Sequence, residues 1–138
     1  MMGPALKETP WTFADFPVGE TMAEVEIALT PEKAALWASI SGAETPAAGD
    51  PAPRALMVAA MMETYIRALQ PRPPGNVHAG QTLSFHGPAP AIGATLTARF
   101  ACRAKAEKKG RFWITLGVEM FEGTRPALSG EILSIWAA

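Results

Sequence analysis

The pattern of apolar and polar side chains first predicts a strand and a helix. Residues 22–29 alternate between the two kinds of side chain, which is typical of a strand with one buried face. A helix is expected next, because Thr30 can cap it and Pro31 suits its first position. It should run to about Ser41 and end at Gly42, since glycine is the usual residue just beyond a helix.

Residues 55–69 predict a second helix of a different kind. Its first eight residues are all apolar, and a helix without a polar face is expected to be buried on every side. Polar side chains appear only in its second half, at Glu63, Thr64 and Arg67, so that end should reach the surface. Residues 43–54, between the two helices, contain three prolines and no periodicity, which predicts a loop.

The rest of the chain predicts antiparallel strands. We expect a short strand at 81–86 and a long hairpin of 96–104 and 112–120, which alternate on either side of the charged turn 106–110. A last strand should cover 128–136. One strand, two helices and four strands predict an α+β domain in which a curved antiparallel sheet wraps around a buried central helix.

Composition narrows the class of protein. The chain has 138 residues and is 49% hydrophobic, which suits one domain, and its net charge of −1 gives no electrostatic case for nucleic acid or anionic membranes. No apolar run approaches the roughly 20 residues that span a bilayer. The single cysteine, Cys102, fits a reducing compartment, so we expect a cytoplasmic protein. Residues 1–15 are expected to form a loose N-terminal arm. Trp11 and Phe13 should anchor this arm to a domain that consists of residues 16–138.

Several phrases resemble those of the MaoC-like hydratases, a hotdog-fold family. The family reads T-x-E-x-x-x-x-F/W-A-x-x-S-G before its catalytic loop, and the residues that match are Thr30, Glu32, Trp37, Ala38, Ser41 and Gly42. The opening phrase Phe16–Gly19 also fits, and a later family phrase has counterparts at Phe85, Pro88, Gly93 and Leu96. The resemblance covers most of the chain and implies a single hotdog domain.

The family's catalytic loop reads G-D-x-N-P-[IVL]-H, and this chain departs from it. Gly42 and Pro46 fit, but the catalytic Asp falls on Ala43 and the catalytic His on Ala48. Hydration of a 2-enoyl thioester needs groups that move protons to and from water and carbon, and alanine has none. The resemblance therefore implies the ancestry of an enoyl-CoA hydratase or 3-hydroxyacyl dehydratase more strongly than it implies activity.

Other residues are candidates for the missing roles. Glu44 and Asp50 are the nearest acids and could replace the catalytic pair, although loop acids more often only face water. Glu63 could activate water as in some hotdog thioesterases, or it could pair with Arg67 one turn later. In hotdog enzymes the thioester oxygen is held by backbone N–H groups at the start of the central helix, here Arg54, Ala55, Leu56 and Met57.

The remaining candidates have simpler explanations. His78 and His86 lie outside the loop, and two isolated histidines with one cysteine give no metal motif. Met57, Met61 and Met62 suit either core packing or an acyl tunnel. Four cations lie around the predicted hairpin turn. They are typical of a turn exposed to solvent, and they would also allow a contact with CoA phosphates. They are Lys105, Lys108, Lys109 and Arg111.

Three functions follow from the resemblance. The leading hypothesis is a MaoC-like protein that binds an acyl-CoA or acyl-carrier thioester, with any activity being hydration or dehydration, as a homodimer or a hetero-pair with an active hotdog partner. The second is a thioesterase that uses Glu63. The third is a module that binds acyl thioesters without catalysis. None of them needs a metal or a cofactor beyond the CoA of the substrate.

Overall fold

A computed structural model describes residues 2–138. The α-helices are Pro31–Ser41 (α1) and Arg54–Ala68 (α2), and Phe13–Asp15 forms one turn of 3-10 helix. The strands are Ala5–Leu6 (β1), Thr21–Ala28 (β2), Leu69–Gln70 (β3), Val77–Phe85 (β4), Thr95–Lys108 (β5), Arg111–Glu122 (β6) and Arg125–Trp136 (β7). Both predicted helices and all five predicted strands are therefore present. β4 to β7 are longer than the alternation indicated, whereas β2 has the predicted length of 8 residues.

Five strands form one antiparallel sheet around α2. The order is β2-β5-β6-β7-β4, with β2 and β4 at the edges. One side of α2 is buried against the sheet, through Leu56, Met57, Ala60, Met61, Thr64 and Ala68. The predicted α+β architecture, a curved sheet around a central helix, is confirmed.

The bounds of α1 follow from its caps. The Thr30 hydroxyl accepts a hydrogen bond from the Lys33 N–H at 3.1 Å, and Pro31 occupies the first turn. Gly42 has φ 76°, a left-handed conformation that glycine adopts without strain, and its N–H donates to the Ala38 carbonyl at 2.9 Å. These are the predicted start and end of the helix.

The prediction that the start of α2 is buried on every side was wrong. Ala55 and Ala59 are exposed, and Val58 and Met62 are only partly buried. The apolar run covers all faces of the helix in sequence, but the sheet of one chain covers only one side of it. On the other side α1 lies apart from α2, and the small alanine side chains do not close the gap. An apolar helix face is thus left open in the single chain.

The N-terminal arm is held firmly, so the prediction of a loose arm was also wrong. β1 pairs in parallel with β3, and the Trp11 indole N–H donates to the Gln70 carbonyl at 3.2 Å. The predicted anchoring by Trp11 and Phe13 is confirmed: the Phe13 N–H donates to the Ala138 carbonyl at 2.6 Å, and the Phe13 ring packs against Phe112 at 4.9 Å. A pairing of two residues is too short to leave a periodic signal in the sequence.

The arm contains an ion pair that makes its stability depend on pH. Lys7 Nζ lies 2.6 Å from the Asp15 carboxylate, which also accepts from the Thr12 N–H, and together these hydrogen bonds lower the pKa of Asp15 to about 2. Because the folded pKa is below the ordinary 3.8, the stabilisation is present above about pH 4 and lost as pH falls toward 2.

Asp15→Asn should therefore lower Tm at pH 6 but progressively less below pH 4. Thermal unfolding followed by circular dichroism at several pH values measures this difference. Lys7→Gln is the matched control, since it removes the same pair from the other side and should show the same pH dependence. A difference between Asp15→Asn and wild type that stays constant from pH 6 to pH 2 would contradict the assignment.

Candidate functional site

The start of α2 has backbone N–H groups that are free to bind an anion. Pro53 precedes the helix and supplies no side-chain cap, while its carbonyl accepts from the N–H groups of Leu56 and Met57 at 3.0 and 3.2 Å. The first N–H groups of any helix have no partner within it, so those of Arg54 and Ala55 are available to an oxygen atom outside the helix. The positive end of the helix and the Arg54 charge both favour a negative group there.

A small cavity of about 200 Å³ lies beside this helix start. Its lining consists of Ala52, Arg54, Met57, Phe85, Gly87, Pro88, Ala89, Pro90 and Ala127. The Arg54 guanidinium lies 4.9 Å from the centre of the Phe85 ring, so this aromatic face holds the charge at the cavity. The Leu56 side chain does not line this cavity: it is buried and lines the groove between α1 and α2 instead.

An apolar groove of about 410 Å³ runs between α1 and α2. Its walls are Ile27, Leu29, Lys33, Leu36, Trp37, Ile40, Ser41, Leu56, Ala59, Ala60 and Glu63. One end is closed where Lys33 Nζ meets the Glu63 carboxylate at 2.9 Å. The other end lies near Ile40 and Leu56, one turn from the helix start. The groove was not predicted, although each helix contributes residues at the spacing of one helical face.

The two loop acids do not line either cavity. Asp50 shapes the turn of residues 47–50: its carboxylate accepts from the Ala47 N–H at 2.9 Å, and its own N–H donates to the Ala47 carbonyl at 3.0 Å. Glu44 is exposed. The Asp50 carbonyl accepts from the Ile92 N–H at 2.8 Å, so this half of the loop is fixed against residues 90–92. Asp50 thus has a structural role in the turn, and Glu44 faces solvent.

The two alanines at the positions of the family's catalytic pair are both exposed. Ala43 follows the left-handed Gly42, and its N–H donates to the Ser41 hydroxyl at 3.4 Å. Ala48 lies within the turn that Asp50 holds. A larger side chain at either position would therefore have room at the surface of the loop. The alignment of these positions with the family's Asp and His remains a prediction from the sequence.

Glu63 is engaged by two cations. Its carboxylate lies 2.9 Å from Lys33 Nζ and 3.2 Å from the Arg67 guanidinium, and the second contact is the i, i+4 pair that the sequence offered as an alternative. Both of its oxygen atoms are therefore occupied by cationic partners instead of being directed at a bound ligand. Glu63 therefore closes one end of the groove, and its contacts do not suit a role in activating water.

The remaining candidates lie away from the helix start. His86 Nε2 is 2.8 Å from the Ser129 hydroxyl, and His78 is exposed on β4. Neither histidine lines the small cavity or the groove. Met61 is fully buried in the core, and burial raises the pKa of the Cys102 thiol, which disfavours its reactive thiolate. Within residues 2–138, no cluster of three or more potential metal ligands occurs, and no helix is long and apolar enough to cross a membrane.

Known structures share this architecture. No protein-family model and no curated protein matches the sequence. The (R)-hydratase from A. caviae involved in PHA biosynthesis is similar, with 24% identity and a TM-score of 0.63 over 86% of this chain and 96% of its own. The MaoC-like dehydratase from Rhodospirillum rubrum is 16% identical, with a TM-score of 0.69 over 89% and 94%.

A protein of another activity is equally similar in shape. The fluoroacetyl-CoA thioesterase FlK is 20% identical, with a TM-score of 0.63 over 87% of each chain. At these identities the likeness establishes the fold, and the chemistry has to be argued from the residues. The strand order and these neighbours together show that this chain folds as a single hotdog domain, the fold of the MaoC-like dehydratases and the (R)-hydratase.

Proposed function

We propose that this chain is a MaoC-like protein that binds an acyl-CoA-type thioester at the start of α2 and does not itself hydrate or dehydrate it. The observation that carries the proposal is the uncapped start of α2, which has an apolar groove on one side and a small cavity beside Arg54 on the other. The backbone N–H groups of Arg54 and Ala55 would hold the thioester oxygen. No cofactor is required, since CoA belongs to the ligand.

The groove between α1 and α2 suits the acyl chain. Its walls are apolar except at the Lys33–Glu63 end, and from Leu56 to Glu63 it follows α2 for roughly 10 Å at 1.5 Å per residue. Burying an alkyl chain there contributes about 0.8 kcal/mol for each CH₂ group removed from water. Affinity should therefore rise with chain length until the chain reaches the ion pair.

The absence of proton-transfer groups argues against (de)hydration by this chain alone. Ala43 and Ala48 occupy the positions that the family resemblance assigns to catalysis, and Asp50 is engaged in its own turn. The thioesterase alternative depends on Glu63, which two cations hold at the closed end of the groove. The geometry thus favours binding over either reaction.

Assembly with a second hotdog chain is part of the proposal. β4 is an edge strand, so the backbone groups on its outer side have no partner in the sheet, and such an edge readily pairs with another strand. The exposed Ala55 at the start of α2 would also be covered by a second chain. A homodimer would cover both surfaces. A hetero-pair with a chain that supplies the missing Asp and His would do the same.

The binding proposal is tested by titration of the protein with acetyl-CoA, hexanoyl-CoA and octanoyl-CoA, followed by calorimetry. Wild type should bind all three, with affinity increasing with chain length. Ala59→Phe places a ring in the groove at an exposed position, and should weaken octanoyl-CoA binding by about tenfold while leaving acetyl-CoA binding unchanged. Ala35→Phe is the control, since Ala35 is exposed on α1 but does not line the groove.

The outcomes separate the two parts of the proposal. If none of the acyl-CoAs binds to folded wild-type protein, the proposed function is wrong. If they bind but Ala59→Phe affects all of them equally or not at all, the thioester site stands and the acyl chain lies outside the groove.

A further inference from the structure

A row of apolar side chains crosses the outer face of the sheet, on the side away from α2. Ala106, Trp113, Ile135 and Val77 lie directly opposite one another on β5, β6, β7 and β4. Neighbouring positions such as Ile114 are buried on the inner face, so alternation places this row outward. Val77 is 52% exposed, and the row spans three strand spacings, roughly 14 Å.

A concave surface that encloses about 760 Å³ lies beside the hairpin that ends β5 and begins β6, and it includes Ala106 and Trp113 of this row but not Ile135 or Val77. Its apolar lining comes from Ala104, Ala106, Trp113 and Leu133, and the last of these is 36% exposed. Val77 and Leu133 are among the large apolar side chains that the single chain leaves exposed. The sequence predicted the cations of the hairpin turn but not the apolar surface beside them.

Cations border the apolar floor on one side only. Lys108, Lys109 and Arg111 line the concave surface, are exposed, and form none of the ion pairs in residues 2–138. Lys105 also lines it, but its Nζ donates to the Phe13 carbonyl at 2.8 Å. The neighbouring acid, Glu107, lies opposite the inward-facing Phe112 and so points to the other face.

The opposite end of the same face has no excess of cations. Glu119 lies further along β6, where it pairs with Arg103 at 2.8 Å, and Glu131 is exposed on β7. The outer face therefore carries a positive end at the hairpin, an apolar middle, and a more negative far end. A ligand that fits it must be apolar along its length and negative where it meets the hairpin.

We propose that this outer face is a docking site for an acidic amphipathic helix of another protein. A helix of about ten residues is roughly 15 Å long, which matches the apolar row, and acidic side chains at one end would meet the three unpaired cations. The docking site is separate from the thioester site, because the two lie at different ends of β4. Val77, at the first end, belongs to the apolar row, and Phe85, at the other end, contacts Arg54 beside the start of α2.

Other occupants fit less well. A second copy aligned in parallel would bring cations toward cations at the hairpin. Turned end to end, it would offer the three hairpin cations only Glu131, because Glu119 already pairs with Arg103. A membrane is flat, whereas this surface is concave. Nucleic acid would need a long basic track, and the cations here are confined to one end of a chain with a net charge of −1.

The test uses a fluorescein-labelled peptide of roughly 16 residues, with leucines along one helical face and glutamates at one end. Fluorescence anisotropy with the full chain should show saturable binding that weakens as salt rises from about 0.05 to 0.3 M. Lys108→Gln/Lys109→Gln/Arg111→Gln should weaken binding by about tenfold, and Leu133→Ser should weaken it without changing the salt dependence.

Matched controls isolate the surface. Ala35→Glu/Ser39→Glu/Thr124→Glu lowers the net charge equally at exposed positions elsewhere and should bind the peptide like wild type. A peptide with lysine in place of glutamate should not bind. Equal binding by the hairpin variant and wild type, or equal binding of the lysine peptide, overturns the proposal. Tighter binding to phosphatidylserine vesicles or to a thymidine oligonucleotide than to the peptide also overturns it.

Discussion

The double variant Ala43→Asp/Ala48→His is expected to hydrate crotonyl-CoA, whereas the wild-type chain should show no turnover above background. The proposed site retains the backbone donors for the thioester oxygen at Arg54 and Ala55 but lacks groups that activate water. A positioned acid–base group typically contributes about 10²–10⁴-fold to a rate, so the pair should produce an increase of at least that order. Loss of the enoyl-thioester absorbance measures the reaction directly.

The controls for this variant lie in the same loop. Thr45→Asp/Ala47→His introduces the same two side chains at neighbouring exposed positions and should remain inactive. Each single variant should recover much less than the pair, because water activation and protonation of carbon are separate tasks. If the double variant binds acyl-CoA like wild type but still shows no turnover, the assignment of positions 43 and 48 is wrong.

Trp136→Ala should reduce the free energy of unfolding by about 3–5 kcal/mol, the loss typical of a large aromatic removed from a core. Trp136 is 2% exposed, its ring packs edge-on against Phe16 at 5.0 Å, and its indole N–H donates to the Trp11 carbonyl at 2.7 Å. The substitution therefore removes core packing, an aromatic contact and the hydrogen bond that holds the arm. Urea unfolding followed by circular dichroism measures the change.

Two further variants separate the contributions to this loss of unfolding free energy. Trp136→Phe keeps much of the packing and removes the N–H, so its loss should be nearer to that of one hydrogen bond and a small void, about 1–2 kcal/mol. Ile40→Ala, at a side chain that is 79% exposed, should change the unfolding free energy by less than about 0.5 kcal/mol. A Trp136→Ala loss no larger than that of Ile40→Ala would show that the arm does not close the core.

The elements with a clear period were predictable from the sequence, and the exceptions have physical reasons. The bounds of α1 were predictable from Thr30 and Gly42, because a capping side-chain oxygen and a left-handed glycine are local signals. β4 begins four residues earlier than the alternation indicated, because a bulge between His78 and Gly80 breaks the period. The open face of α2 was missed because the sequence gives the polarity of a helix but not the number of surfaces around it.

The candidate site was predictable only in part. The helix start followed from the resemblance, since the central helix of a hotdog domain is recognisable by its apolar run. The structural roles of Asp50 and Glu63 depend on partners at Ala47 and Lys33, and only the pair with Arg67 was close enough in sequence to be anticipated. The groove and the outer concave surface exist only once separate elements are assembled.

The bond between the Trp11 carbonyl and the Trp136 indole has a consequence for synthesis of the protein. It joins residues 125 positions apart, so the arm, although synthesised before the sheet, cannot take its final place until β7 has left the ribosome. Until then Phe13 lacks the Ala138 carbonyl and Phe16 lacks the Trp136 ring, so their apolar side chains are only partly covered on a nascent chain. We expect the early arm to be the segment that chaperones engage, and closure of this end to be among the last steps of folding.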